Sequence, residues 1–483
     1  MAVDPKLVRM GVRALALIAG AAIAVGSVAA AALVPWPEHR VEVPSQEVQP
    51  AESRQLRVCP GPLFALGEDP AAATAVSSVG PAELVTATEP SGVPLEQVPL
   101  AAPANALAGQ DGAPVAIAAE PGGVEAGMLA GAQSQSVRSE TLSGFTAAAC
   151  GEAIAESWLV AGATNLGRSG IVLLSNPSAV AATVDVRVIG ESGPVEAPSA
   201  LGIIVPPGTQ RVLPLAGLAP NLTSPVVHVT STGGSIAASL EHSVVVGLAP
   251  AGLELTGATA GPSTRQVIPG VVVPQTGGVA ATEDHADGDD HPIVRLFAPG
   301  EETVDVSIGV VPESGSGGNT IEAALEPGRV VDVPLGVLDA GDYTIRIEAD
   351  APVVAAARTT VGGTEGQTDA SAPSDLAWFV ATAPMLDAAV VAVPRGPSPT
   401  LHLVNPDAET AAEVRVGSGG SERVVTVPPA GAAPVSLDAG ASVVLGGTEG
   451  LHATVSFVGD DELASFGVQP PSPLDSPIRV YPR

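Results

Sequence analysis

Aromatic side chains are the scarcest class in this chain: Trp 3, Tyr 2 and Phe 6 make up 2% of its 483 residues. So few flat side chains leave little for stacking sugars or bases. Positive charge is scarce too, with Lys+Arg 20 against Asp+Glu 51, a formal net charge of -31 and Lys6 as the single lysine. No basic face is available for a phosphate backbone, so nucleic acid is excluded as a partner. A Cys-x-x-Cys pair and a Gly-x-Ser-x-Gly elbow are both missing, which leaves no signature of a redox dithiol or of an α/β-hydrolase nucleophile. Gly 55 and Pro 47 are too many for long helices.

What remains is Val, Ala and Leu in short runs between turn residues, the composition of many brief strands. A ten-residue phrase occurs three times: PPGTQRVLPL from Pro206 to Leu215, EPGRVVDVPL from Glu326 to Leu335, and PPAGAAPVSL from Pro428 to Leu437. Each copy sits among matching strand phrases, such as Val184-Asp185-Val186-Arg187-Val188 and Val304-Asp305-Val306-Ser307-Ile308. Their period of two sends one face to a core and the other to water. Asn176-Pro177, Pro299 and Asn405-Pro406 mark corresponding strand ends roughly 110 residues apart, the spacing of whole small domains. Seven candidate strands in the first copy, with the same order of phrases in the second and a shorter third, predict an all-β fold of tandem immunoglobulin-like β-sandwich domains. The copies are assigned to 151–255, 256–370 and 371–470, followed by a tail at 471–483.

The N-terminal part reads differently. Lys6, Arg9 and Arg13 in a basic flank at 1–13 precede an uncharged run at 14–34, about 31 Å of helix if helical. This predicts a transmembrane anchor with the rest of the chain outside the cytoplasm; a signal cleaved near Ala29 to Ala32 is the alternative. Residues 35–55 read as an extended stalk. Residues 56–150 read as an irregular β-rich region in which the alanines also permit a short helix and Pro90 to Gly112 reads as a loop. In an oxidising exterior Cys59 and Cys150 are expected to form a structural disulfide, joining this region to the first repeat and stabilising the fold by roughly 4 to 5 kcal/mol through loop closure.

Cys59-Pro60-Gly61-Pro62, the second cysteine shortly before Ser157-Trp158-Leu159-Val160-Ala161-Gly162, and Gly167-Arg168 leading into Leu173-Leu174-Ser175-Asn176-Pro177 occur together. This combination resembles an actinobacterial family of exported proteins known only as a domain of unknown function. The resemblance implies an envelope-associated protein from a high-GC actinobacterium, a source with which the excess of Arg over Lys agrees. It transfers no catalytic residues.

The densest candidate site is an acidic loop after Glu283: Asp284, His285, Asp287, Asp289, Asp290 and His291. Carboxylates and imidazoles suit a divalent cation, although the spacing matches neither a calcium loop nor a helical zinc pair, and a solvated loop is the bland alternative. Ser169 and Ser235 lie in Gly-rich turn phrases, His228, His242, His402 and His452 in strand phrases, and Asp460-Asp461 at a hairpin turn, so none assembles into a catalytic group. Trp158 and Trp378 read as core. These readings predict a non-catalytic envelope protein, a structural or binding scaffold for a protein or cell-wall partner, with no cofactor. The alternative is an envelope-polymer hydrolase with a site between domains.

Overall fold

The computed structural model describes residues 46–48, 54–67, 76–276, 291–362, 374–470 and 478–480, with Ala19, leaving out 106, 108, 109, 126 and 316. The chain divides into two compact units, residues 51–475 and residues 1–50 with 476–483. In the smaller one, strand Gln46–Val48 pairs antiparallel with Ile478–Val480. The predicted anchor at 14–34 lies outside the described residues apart from Ala19; among the described residues no helix is long and apolar enough to cross a membrane.

The larger unit is nearly all β, because its apolar residues fall at alternate positions. In strand Ala182–Gly190 the core takes Val184, Val186 and Val188 while Thr183 and Arg187 face out. The three repeated phrases take the same place three times. Each begins with a turn whose third residue has positive φ, Gly208, Gly328 or Ala430. Each continues as a sheet-edge strand: Thr209–Pro214 beside Arg168–Asn176, Val330–Pro334 beside Ile293–Phe297, and Ala432–Ser436 beside Thr400–Val404. Asn176 and Asn405 end their strands alike. Each side-chain oxygen accepts the N–H two residues on, and each amide donates to carbonyls across the turn, Val180 and Val205 or Thr410 and Val427.

Residues 156–257 form two sheets that share one buried cluster, and residues 388–467 form two more. Between them, residues 263–380 are knitted by one long strand, Gly341–Val361. Its first part pairs with Ser263–Val273 and Val304–Pro312, its second with Ile293–Phe297 and Asp375–Val380. The strand carrying Trp378 therefore belongs to this sheet and does not open the third copy. Residues 55–149 make three sheets, one of them the two-stranded pair Phe64–Leu66 with Val76–Ser78, and strand Glu96–Pro99 lies inside the stretch read as a loop.

Four strands meet at the centre: Ser143–Ala149, Ala249–Gly257, Asp375–Val380 and Leu463–Gly467, one from each of these four segments. Each packs against the next in a closed ring. At their N-terminal ends the carboxylate of Asp375, wholly buried, accepts four backbone N–H groups. Leu253 and Leu376 donate to Oδ1 at 3.0 Å each, and Phe145 and Leu463 to Oδ2 at 2.8 and 3.2 Å. One layer further on, Glu254 accepts the N–H groups of Leu255 and Trp378. Room for the first carboxylate comes from glycine, since a Cβ on Gly144 would lie 2.6 Å from Asp375 Oδ1.

Other buried polar side chains join the segments in the same way. Both oxygens of Glu241 accept the Phe64 N–H, and Gln133 exchanges two hydrogen bonds with Gly61, so the Cys-Pro-Gly-Pro stretch is held by side chains. Arg295, fully buried, pairs bidentately with Asp332 and donates to the carbonyls of Gly162, Thr223 and Pro225 in the preceding segment. Cys59 and Cys150 are bonded, with Cα atoms 4.1 Å apart. The bridge ties the sheet of strand Gln55–Cys59 to the sheet of strand Ser143–Ala149; it does not reach into the first repeat, because Cys150 directly follows the inner strand of its own segment.

Asp375→Asn replaces one acceptor oxygen by a donor and strands two buried N–H groups. The expected loss is about 2 to 6 kcal/mol at unchanged m-value in urea unfolding. A pH dependence follows from the same cluster. Burial pushes Asp375 and Glu241 up to about 8, against the amide hydrogen bonds that pull them down, and raises Glu254 well above the carboxylate range. The folded chain thus keeps protons that the unfolded chain gives up near pH 4, so this contribution to stability is lost as pH rises toward 8. Burial lowers His452 to about 4, which works in the opposite sense between pH 6.5 and 4 but involves one group against three. The thermal midpoint is expected to be several degrees higher at pH 5.5 than at pH 8, read by calorimetry.

Candidate functional site

Asp375 gathers the four inner strands toward one end of the ring, at Phe145, Leu253, Leu376 and Leu463. Their other ends open on a cavity of about 300 Å³ lined in part by Ala148–Cys150, Thr256–Gly261, Val380 and Phe466–Pro470. Leu129, Met385 and Val390 supply aliphatic wall, and Ser157, Ser175 and Ser239 supply hydroxyls. Small residues create the space: a Cβ on Gly151, Gly257 or Gly261 would meet nothing within 4 Å. Gly131 is required for a different reason, since its Cβ would fall 2.9 Å from Cys150 Sγ and press on the disulfide.

Among the described residues of this lining the ionisable side chains are Arg57 and Glu152, and they form an ion pair. A concave, mostly apolar surface with a few polar groups is the usual form of a binding site. Acid–base chemistry needs more, a titratable group within reach of a second one and of the substrate.

Several buried acids and histidines are engaged elsewhere. Burial alone would raise Asp332, but the Arg295 guanidinium beside it, with the Ser224 hydroxyl, holds its carboxyl below the usual range. His452 points Nδ1 at the Thr382 carbonyl, 2.8 Å away. His242 accepts the indole N–H of Trp378 at 3.2 Å, and His228 stacks on Trp158 with ring centroids 3.9 Å apart. Both tryptophans are buried, so neither is an exposed sugar platform. His242, His402 and His452 are buried within their strands.

Of the acidic loop, Glu283, Asp284, His285, Asp287, Asp289 and Asp290 lie outside the described residues; His291 is buried just before strand Ile293–Phe297. Ser169 lies in a strand opposite Ser243, Asn221 is a turn residue at φ 60°, and Asp460-Asp461 turn the hairpin between His452–Val458 and Leu463–Gly467. The polar residues that matter most to the centre, Asp375, Glu254 and Arg295, were not singled out from the sequence. Their signal is a lone charge inside an apolar run, as in Leu253-Glu254-Leu255, Val294-Arg295-Leu296 and Asp375-Leu376-Ala377-Trp378. A further group, Glu313, Asp342 and His402, brings metal-ligating atoms together between the second and third copies.

No curated protein matches the chain. Among solved structures, the crystal structure of Thermotoga maritima 1070 is similar over 24% of this chain and 90% of its own, at 18% identity and a TM-score of 0.18. So low a score carries no argument about fold or function. The family described as "Family of unknown function (DUF5719)" matches residues 104–446, which include three of the four inner strands entire or in part, and the chain belongs to that family.

Proposed function

We propose that the protein is a non-catalytic binding or scaffold protein of the cell envelope. In this reading residues 14–34 tether it to the membrane, its paired sheets are tandem immunoglobulin-like sandwiches, and the cavity at the ends of the inner strands receives a protein or cell-wall partner. The cavity lining carries the reading, being aliphatic and small with one ion pair as its ionisable content. Surfaces of this kind hold a ligand by shape and desolvation. The disulfide suits an oxidising compartment outside the cytoplasm. The excess of acidic charge keeps an exported chain soluble and away from anionic polymers. A hydrolase would want two converging acids or an acid and a histidine in the cavity; among the described residues that line it the carboxylate is Glu152, which pairs with Arg57.

Gly257→Leu fills the cavity from a position where the added atoms have room, so the fold is retained. Co-sedimentation of the full chain with isolated cell envelopes should show saturable binding that Gly257→Leu weakens at least about tenfold, the equivalent of roughly 1.4 kcal/mol. Absence of saturable binding, or equal binding by the filled variant, would refute the reading.

A further inference from the structure

We propose that Glu313, Asp342 and His402 form a binding site for a zinc-class divalent metal ion that joins the second repeat copy to the third. Glu313 follows strand Val304–Pro312, Asp342 is the second residue of strand Gly341–Val361, and His402 lies in strand Thr400–Val404. One ligand atom from each lies within 4.8 Å of the other two. Glu313 Oε2 and His402 Nδ1 are 2.6 Å apart, with side-chain exposures of 0% and 1%.

The surroundings have the form that metal ligands require. A ligating imidazole is normally held by a partner on its second nitrogen, and a ligating carboxylate by a hydrogen bond to its second oxygen. Here Ser456 Oγ lies 2.8 Å from His402 Nε2, while Thr344 Oγ1 and the Gly270 N–H both donate to Glu313 Oε1 at 2.9 Å. Nδ1, Oε2 and the Asp342 carboxylate are left facing one another. Gly270 has a second part in this. It sits at φ 62° where the pairing of Ser263–Val273 with Gly341–Val361 shifts register, and a Cβ there would lie 2.5 Å from the His402 ring. The bulge lets the ring in and turns the N–H onto Glu313.

Charge also calls for a cation. Two carboxylates and one imidazole converge in a largely buried place, where charge without a counter-charge is costly. A divalent ion supplies the counter-charge. It takes the place of the hydrogen bond between Nδ1 and Oε2, and metal binding of this kind releases protons. One imidazole with two carboxylates favours zinc over calcium, which wants six or more oxygens. Asp342 is only half-buried, so the ion enters past it and a water or a partner's ligand completes four-coordination.

The test is calorimetric titration of the full chain with zinc chloride after treatment with EDTA, with thermal unfolding of the same samples. The expected result is one zinc per chain and a raised unfolding midpoint. Asp342→Asn, a partly exposed change that spares the packed pair, should weaken zinc at least about tenfold, as should Glu313→Gln. His402→Gln should abolish it, with circular dichroism checking the fold; if that variant fails to fold, Asp342→Asn decides. No zinc uptake by the natural chain, uptake unaltered in Asp342→Asn, or uptake lost on replacing Asp287, Asp289 and Asp290 by Asn would each overturn the proposal.

Discussion

The carboxylate of Asp375 resolves a problem that the architecture creates. Each inner strand carries backbone N–H groups that its own sheet leaves unpaired at the ring. Gathering these strands together buries those groups away from water, and each one left without an acceptor costs about 1 to 3 kcal/mol. One carboxylate, with two oxygens and room for two donors on each, satisfies four of them at a single point. Three segments supply only a backbone N–H at this point and the other supplies both an N–H and the acid. Gly144 supplies the empty space the acid needs.

The consequence appears at the opposite ends of the same strands. Closed by hydrogen bonds at one end, the ring is lined at the other by Ala148, Gly257, Ala258 and Gly467, whose small side chains leave the cavity unfilled. Fold and candidate site are thus two ends of one arrangement. Other buried polar side chains work as connectors between segments: Glu241 accepts the N–H of Phe64, two residues past the Cys-Pro-Gly-Pro stretch, and Arg295 reaches three carbonyls of the neighbouring segment while lying 4.6 Å from the Trp378 ring centroid. Apolar contacts would bury area equally well, but they fix register less sharply than directional bonds between named atoms.

Much of the fold was legible in the sequence because its cause is local. The alternation of Val184, Val186 and Val188 dictates a strand with one wet face, and the proline-glycine turns dictate where edge strands begin. The disulfide was legible from the presence of two cysteines and no Cys-x-x-Cys spacing. The long strand Gly341–Val361 was not, since the turn-like Asp350-Ala351-Pro352 reads as a break and only tertiary pairing on both sides carries the strand through it. The candidate site was hidden for a related reason. Its lining comes from every segment, and glycines and alanines that read as turn or filler become walls only when four strands converge. Asp375 itself looks like a solvated acid after a Ser-rich stretch; what marks it is the unbroken apolar run Leu376-Ala377-Trp378-Phe379-Val380 behind it.

Hydrogen exchange at the amides of Phe145, Leu253, Leu376 and Leu463 tests the central arrangement most directly. If one carboxylate holds all four, they should exchange at a common slow rate set by global unfolding, and Asp375→Asn should speed their exchange together while amides in the outer strand Ser421–Val427 change little. Four unrelated rates in the natural chain, or protection unaltered in the variant, would contradict it.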